Sequence, residues 1–261
     1  MGEMYIMRKI IIEENVVEDI PYMLFYKADF KKIPLVIIAH GFNNNKYEGS
    51  DLAIRLAENG IGAITFDLYK QGQRYDGFLE NVTCDAEFGY QIFNILKESY
   101  NDIKKLINLF KNDSRIDGNR LGLAGISLGA KLCYYSLANN KDIKVAVPIL
   151  GSPKFKESLI YSMEKENESD FIDTEEKELL EFVKKMDPYE YLVQNESREL
   201  LIINASKDDD VPAKFAIDFY DEIQSKYKEN NTAIELFVAD EFHYVSNEMK
   251  DKTIDWFKKY L

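Results

Sequence analysis

Short runs of β-branched and aliphatic residues recur along the chain, and longer segments with helical spacing separate them. The later runs are apolar at nearly every position, which is typical of parallel strands buried on both faces of a sheet. The first two runs are expected to form an antiparallel pair. The predicted strands are "MRKIII" (7–12), "PYMLFYK" (21–27), "LVIIAH" (35–40), "IGAITFD" (61–67), "LGLAGI" (121–126), "KVAVPIL" (144–150), "ELLIINA" (199–205) and "AIELFVA" (233–239).

Segments with helical periodicity fill most of the intervals between these strands. This alternation predicts a doubly wound α/β fold: a mostly parallel, eight-stranded sheet with helices on both faces. A length of 261 residues fits one large domain as well as two small ones, and the lack of a flexible linker favours one domain over residues 1–261. The predicted helices are residues 47–60, 85–113, 127–140, 213–230 and 247–261.

One segment interrupts the alternation. Residues 154–190 are too long for an ordinary connection and have apolar positions of their own, so they predict a small helical insertion over the C-terminal edge of the sheet. The segment contains 6 Lys and 12 Asp or Glu, a net charge of −6. It therefore has two interpretations, a cap over a functional site or a solvated pair of surface helices without a role in substrate choice.

The charge of the chain excludes several classes of partner. A net charge of −13 and an isoelectric point of about 4.8 repel phosphate backbones and anionic lipid surfaces. No apolar run has the length of a signal peptide or a membrane span. We therefore expect a cytoplasmic protein that binds neither nucleic acid nor membranes; the oligomeric state is not indicated.

The strongest chemical motif is Gly-Ile-Ser-Leu-Gly at residues 125–129. A strand is predicted directly before Ser127 and a helix directly after it, so the serine would lie on a sharp turn that exposes its hydroxyl. Gly125 and Gly129 are the small neighbours that such a turn requires. The alternative is a strand that enters a helix through small residues without chemistry.

A serine hydroxyl needs a base, and the chain has two histidines that could serve. His243 follows the last predicted strand, where a loop could bring its ring to Ser127. His40 ends the third predicted strand. Because the base follows the nucleophile and the acid along the chain in this fold, the sequence favours His243 as the base. His40 and Gly41 are then expected to shape the turn that presents the backbone N–H of Phe42.

An oxyanion would need two preorganised donors, and we predict the backbone N–H groups of Phe42 and Leu128 for this role. The alternative for "AHGFNNNK" is a simple Gly-Asn turn. The orienting acid should follow a strand between the serine and the histidine. Asp208, Asp209 and Asp210 all stand there, and their composition alone cannot choose among them, nor exclude a solvated loop before a helix.

These motifs together resemble the α/β-hydrolase superfamily, and within it the compact bacterial esterases near the dienelactone-hydrolase and prolyl-oligopeptidase-like branches. The resemblance covers nearly the whole chain through "LVIIAHGF", "LAENGIGAITFD", "GQR", "RLGLAGISLGA", "INASKDDDVP" and "EFH", in the family's order. In that family the acid stands in an H-G-x-x-D-x-x-V-P stretch. The resemblance therefore implies Asp208 as the acid.

The chain departs from the family at three places. Asn204-Ala205 replaces the usual His-Gly, "YKQGQR" (69–74) stands where relatives often read H-G-x-R, and the nucleophile is serine rather than the cysteine of dienelactone hydrolases. The resemblance implies a carboxylesterase that acts on small esters and needs no cofactor or metal. We expect short-chain or aromatic acyl groups, since the content of 17 Tyr and 16 Phe permits an aromatic one. The alternatives are a peptidase or amidase, a lipase-like enzyme and a noncatalytic binding protein with the same fold.

Overall fold

The sheet and helices are seen in a computed structural model that describes residues 9–29, 31–166, 174–195 and 198–261. Two parts of the predicted elements lie outside the described residues. They are Met7 and Arg8 of the first predicted strand and residues 167–173 of the predicted insertion.

Eight strands form one sheet in the described part of the chain, in the order β1-β2-β4-β3-β5-β6-β7-β8. β1 pairs antiparallel with β2 and β2 antiparallel with β4, whereas every pair from β4 to β8 is parallel. The predicted mostly parallel sheet and its antiparallel opening pair are confirmed. The strands are Ile10–Val17, Ile20–Lys27, Ile33–Ala39, Gly62–Phe66, Ile116–Ile126, Ile143–Ile149, Glu199–Ala205 and Ile234–Ala239.

Helices connect the parallel strands and cover both faces of the sheet. α1, α2, α3, α7 and α8 are the five helices that the periodicity predicts, whereas α4 to α6 lie between β6 and β7. In chain order, the helices of the described residues are Ser50–Glu58, Asp85–Lys111, Leu128–Asn139, Phe155–Glu166, Thr174–Met186, Tyr189–Asn195, Lys214–Glu229 and Asn247–Tyr260.

The central strands are apolar at every position because both of their faces are buried. Successive side chains of a strand point to opposite faces. In β3, Leu35 and Ile37 therefore join the core beneath α2 and α3, while Val36 and Ile38 join the core beneath α1 and α8. This arrangement brings the C-terminal ends of β3, β5, β7 and β8 to one edge of the sheet, where the loops can meet.

The segment between β6 and β7 forms three helices. The last one, α6, ends at Asn195, a few residues beyond the predicted limit at 190. α5 packs on α2, and Leu179 lies so close to Gly89 that a Cβ at that glycine would come within 2.3 Å of Leu179 Cδ2. α4 approaches the loop after β7, where Lys165 Nζ donates to the backbone oxygen of Asp209 at 2.9 Å. The segment is thus joined both to a helix face and to the C-terminal edge of the sheet.

None of the helices in the described ranges is both long enough and apolar enough to cross a bilayer. α2 has the length, at 27 residues, but charged side chains are distributed along it.

Candidate active site

Ser127 lies on the sharp turn between β5 and α3. Its backbone has φ 53° and ψ −108°, a left-handed conformation that costs a non-glycine residue free energy. The two neighbouring glycines permit the turn. A Cβ at Gly125 would lie 1.9 Å from the oxygen of Gly129, and a Cβ at Gly129 would lie 2.2 Å from the oxygen of Ala39. Both positions therefore require glycine, and the half-buried serine side chain lies at the C-terminal edge of the sheet.

Ser127, His243 and Asp208 form one chain of hydrogen bonds, although 116 positions separate the serine from the histidine. His243 Nδ1 lies 2.7 Å from Asp208 Oδ2, and His243 Nε2 lies 2.9 Å from Ser127 Oγ. Because a carboxylate can only accept, Nδ1 carries the proton and Nε2 faces the serine hydroxyl as an acceptor. The side chains come from the loops after β5, β7 and β8.

The three adjacent aspartates have different environments. The Asp208 side chain is fully buried, whereas Asp209 and Asp210 are exposed. Asp208 Oδ1 accepts hydrogen bonds from the backbone N–H groups of Asp210 and Val211, at 3.0 and 2.9 Å. Its other oxygen is thereby directed at His243. The structure brings the aspartate that the resemblance implies to the histidine and leaves the other two on the surface.

The two histidines differ in their electrostatics. The hydrogen bond that His243 donates to Asp208 raises the pKa of His243, and this effect outweighs the partial burial of the ring. His40 is buried, and burial lowers its pKa. Its Nδ1 donates to the oxygen of Gly41 at 2.7 Å, and its Nε2 accepts from the N–H of Leu68 at 3.1 Å. Both ring nitrogens of His40 are therefore engaged with backbone, next to the turn that contains Phe42.

The two predicted oxyanion donors lie at the ends of elements that face Ser127. Leu128 is the first residue of α3, and N–H groups in the first turn of a helix lack an acceptor within the helix. Phe42 follows β3, and its ring packs edge-on against Phe88 of α2 at 5.5 Å between centroids. Within the described ranges, no acceptor is found for the Phe42 N–H. Among the described residues, both amides are thus without a hydrogen-bond acceptor.

A cavity of about 480 Å³ opens at Ser127 and His243. Its walls are mainly apolar, but Glu48, Asp210 and Lys250 also reach it. Lys250 is paired with Asp51 at 2.9 Å. The apolar lining comes from Phe42, Leu52, Ile126, Leu150, Tyr244 and Val245.

One group of side chains in the described part of the chain has the spacing of metal ligands. Asp208, Asp210 and His243 offer atoms that all lie within 4.8 Å of one another. Two of the three are already hydrogen-bonded to each other, and the third is an exposed carboxylate. A cation at this position would have to break the bond between Asp208 and His243.

Sequence reasoning did not identify Glu48 and Gln71 as parts of the site. Glu48 Oε2 accepts from the N–H of Gly41 at 2.6 Å, and Gln71 Oε1 accepts from the N–H of Asn43 at 2.7 Å. The departure at 69–74 from the family pattern was the available signal for Gln71. Asn204, which stands where the family pattern has His, also makes a contact. Its buried side chain donates to the oxygen of Gly151 at 3.2 Å.

The chain is similar to several known proteins. A sequence model of the prolyl oligopeptidase family matches residues 93–261. "Putative esterase YitV" of Bacillus subtilis (strain 168) is 31% identical over 258 residues, which cover 96% of this chain and 99% of that protein. Among solved structures, TT1662 from Thermus thermophilus superposes with a TM-score of 0.74 at 16% identity, over 96% of this chain and 98% of that chain. Acetyl xylan esterase 1 from Thermoanaerobacterium sp. JW/SL YS485 gives 0.71 at 15% identity, over 97% and 88%.

Proposed function

This chain belongs to the prolyl oligopeptidase family, and from that premise we propose that it is a serine hydrolase that cleaves carboxylic esters through an acyl-enzyme intermediate. The predicted α/β-hydrolase fold is confirmed by the sheet order and by the structural neighbours. The relative that is 31% identical over nearly the full length of both chains carries the name of an esterase, which supports ester rather than other acyl chemistry.

The single observation that carries the proposal is the continuous hydrogen-bond chain from Ser127 through His243 to the buried Asp208. A binding protein has no need of a hydroxyl aligned with a basic nitrogen that is itself fixed by a carboxylate. A nucleophilic serine needs the hydroxyl, the basic nitrogen and the carboxylate, because the hydroxyl is a weak nucleophile until a positioned base removes its proton.

In the proposed acylation step, His243 Nε2 takes the proton of Ser127 as Oγ attacks the ester carbonyl carbon. Asp208 holds the ring in the tautomer with the proton on Nδ1 and stabilises the imidazolium that forms. The N–H groups of Phe42 and Leu128 donate to the oxyanion of the tetrahedral intermediate. His243 then returns the proton to the leaving alcohol as the bond between carbon and alcohol oxygen breaks, which leaves Ser127 acylated.

Deacylation repeats these steps with water. His243 takes a proton from a water molecule, whose oxygen attacks the acyl carbon, and then protonates Ser127 Oγ as the acid is released. Every proton that leaves a nucleophile returns to a leaving group, so the cycle balances with an ester and water alone.

The cavity supports a small acyl group with apolar contacts. A volume of about 480 Å³ lies in the lower part of the range of ligand pockets, and the larger share of its lining surface is apolar. Short-chain or aromatic acyl esters are therefore the proposed substrates. Acyl chains that exceed the cavity should lose rate because their ends remain in water.

The pH dependence of the proposed reaction follows from the His243 pKa. Only neutral His243 can accept the serine proton, and the bond to Asp208 favours the charged form and so raises its pKa. The rate must then rise with pH through a value above the ordinary histidine pKa of about 6.5. We expect kcat/KM for a p-nitrophenyl ester to fall on the acidic side with its midpoint above that value. A profile that is flat between pH 5 and 8 would contradict His243 as the base.

A peptidase or amidase is the second candidate, because the matched family is named for an oligopeptidase. The two reactions share all the groups of the site and differ in the leaving group, so matched substrates separate them. We expect p-nitrophenyl acetate to be cleaved and p-nitroacetanilide, which has the same acyl group on an amide, to show no cleavage above the rate without enzyme. Turnover of the anilide that is lost in Ser127→Ala would favour the amidase.

Labelling with a fluorophosphonate probe tests whether the serine is activated at all. We expect wild-type protein to be labelled and to hydrolyse p-nitrophenyl esters from acetate upward, with a decline towards decanoate. Folded protein that neither reacts with the probe nor cleaves any of these esters would be a noncatalytic member of the fold, and the proposal would fail.

A further inference from the structure

The loop after β3 leaves one backbone amide open between two that are held. Gly41 N–H donates to Glu48 Oε2 at 2.6 Å, and Asn43 N–H donates to Gln71 Oε1 at 2.7 Å. Between them, the N–H of Phe42 finds no acceptor in the part of the chain that the structure describes. The two held amides therefore fix the peptide planes on either side of the one that carries the Phe42 N–H, and Phe42 lines the cavity at Ser127.

We propose that Glu48 and Gln71 are positioning residues that hold the Phe42 N–H where the oxyanion of the reaction forms. The inference rests on the proposed function and deepens it, because it assigns two side chains to the oxyanion site that the motifs did not include. An oxyanion donor contributes to the rate only if its geometry is fixed before the charge develops.

Gln71 has the surroundings of a fixed side chain. It is 2% exposed, and its Nε2 donates to the oxygen of Lys70 at 3.2 Å, which directs Oε1 towards Asn43. Asn43 has φ 55°, a left-handed conformation that asparagine adopts more readily than most non-glycine residues. The hydrogen bond that its N–H donates to Gln71 fixes this conformation next to Phe42. Gln71 lies in the segment 69–74 that departs from the family pattern, and its physical role is to accept the hydrogen bond from Asn43.

Glu48 holds the other side of the turn with both of its oxygens. Oε2 accepts from Gly41, and Oε1 accepts from Asn44 Nδ2 at 2.7 Å. Glu48 also lines the cavity that contains Ser127, so its negative charge opposes a developing oxyanion. The same charge also helps to raise the pKa of His243 and so stabilises the imidazolium of the reaction. A variant that removes the charge but keeps an acceptor for Gly41 therefore separates the two charge effects from the geometry that the hydrogen bonds impose.

His40, the residue after β3, restrains the same turn at a third point. Its Nδ1–H donates to the oxygen of Gly41, so that residue is held at its N–H by Glu48 and at its oxygen by His40. The loop is anchored further on, where the N–H of Lys46 donates to the buried Asp67 Oδ1 at 2.7 Å. The turn is therefore restrained by side chains from three separate segments.

The test compares Gln71→Leu and Glu48→Ala with matched controls. Gln73→Leu removes an exposed glutamine of the same loop, and Glu58→Ala removes an exposed glutamate of α1. We expect each of the two test variants to lower kcat/KM for p-nitrophenyl acetate by about 10- to 100-fold. Inhibition by a trifluoromethyl ketone, which forms a tetrahedral adduct with an active serine, should weaken by a similar factor. Binding of an uncharged alcohol of similar size, which forms no adduct, should change little.

The variant Glu48→Gln separates geometry from charge. Its amide oxygen can still accept from Gly41, so it should recover most of the rate that Glu48→Ala loses. A failure to recover would show that the charge and not the hydrogen bond matters, and would overturn the assignment of Glu48.

Melting temperatures identify any variant that does not fold. Since Glu48 is exposed, Glu48→Ala and Glu48→Gln decide the matter if the buried Gln71→Leu is unfolded. Folded test variants with wild-type kcat/KM and wild-type inhibition by the ketone would overturn this inference while the proposed function stands. A wild-type protein that cleaves no ester and takes no fluorophosphonate would overturn both.

Discussion

Replacing Ser127 with alanine is expected to lower kcat for p-nitrophenyl acetate on the order of 10⁶-fold, to the rate that the remaining groups support. The physical reason is that His243 then has no hydroxyl to deprotonate at 2.9 Å from Nε2, so no acyl-enzyme can form. The measurement is steady-state hydrolysis at pH 8, with fluorophosphonate labelling of the same preparations.

Ser136→Ala is the matched control, since Ser136 is a buried serine of α3, the helix that follows Ser127. It should keep both the rate and the labelling of wild-type protein. Comparable ester hydrolysis in Ser127→Ala and wild type would mean that another residue carries the reaction, and the proposed mechanism would be wrong.

Asp208→Asn is expected to lower kcat by about 10⁴-fold with little effect on the fold. The asparagine has nearly the same shape, but its amide cannot replace a carboxylate that accepts from His243 Nδ1 at 2.7 Å and balances the imidazolium charge. The ring would lose the stabilisation of both its tautomer and its charged form. The measurement is kcat for p-nitrophenyl acetate, with circular dichroism to confirm folding.

The adjacent Asp209 provides the control for this experiment. Asp209→Asn changes an exposed side chain that does not line the cavity and should stay within a few-fold of the wild-type rate. If Asp209→Asn showed the large loss and Asp208→Asn did not, the acid would be Asp209, and the spacing taken from the family pattern would be misleading for this chain.

Much of the fold could be predicted because burial on two faces leaves a direct record in the sequence. All eight predicted strands are present, since a strand such as β3 can bury successive side chains on both sides only if each is apolar. The beginning of β5 was not predicted, because it is not buried on both faces. The strand starts at Ile116, but residues 117–120 are half-buried or exposed and lack an apolar run.

The site could be predicted in part. The turn at Ser127 is local, and glycines two positions away on each side indicate it directly. The pairing of His243 with Asp208 is not local, and only chain order and a family pattern favoured it before the structure placed the two side chains 2.7 Å apart.

Other contacts of the site leave little trace in the sequence. Gln71 contacts a residue 28 positions away through a loop, and no periodicity predicts which of two glutamines in that loop turns inward. Hydrogen bonds of this kind depend on where separate loops end in space, which the sequence pattern does not encode.

The position of β8 at the edge of the sheet has a consequence for how activity would be lost. β8 pairs with β7 alone in the described sheet and is only partly buried, and the loop that follows it carries His243. Edge elements with few buried contacts can open in local fluctuations that cost less than global unfolding. An opening of β8 and its loop would separate the histidine from Ser127 while the strands from β4 to β6 stayed paired. The protein would then lose activity before it unfolds. Its half-life of activity in warm solution would be set by the free energy of this local opening and not by the stability of the core.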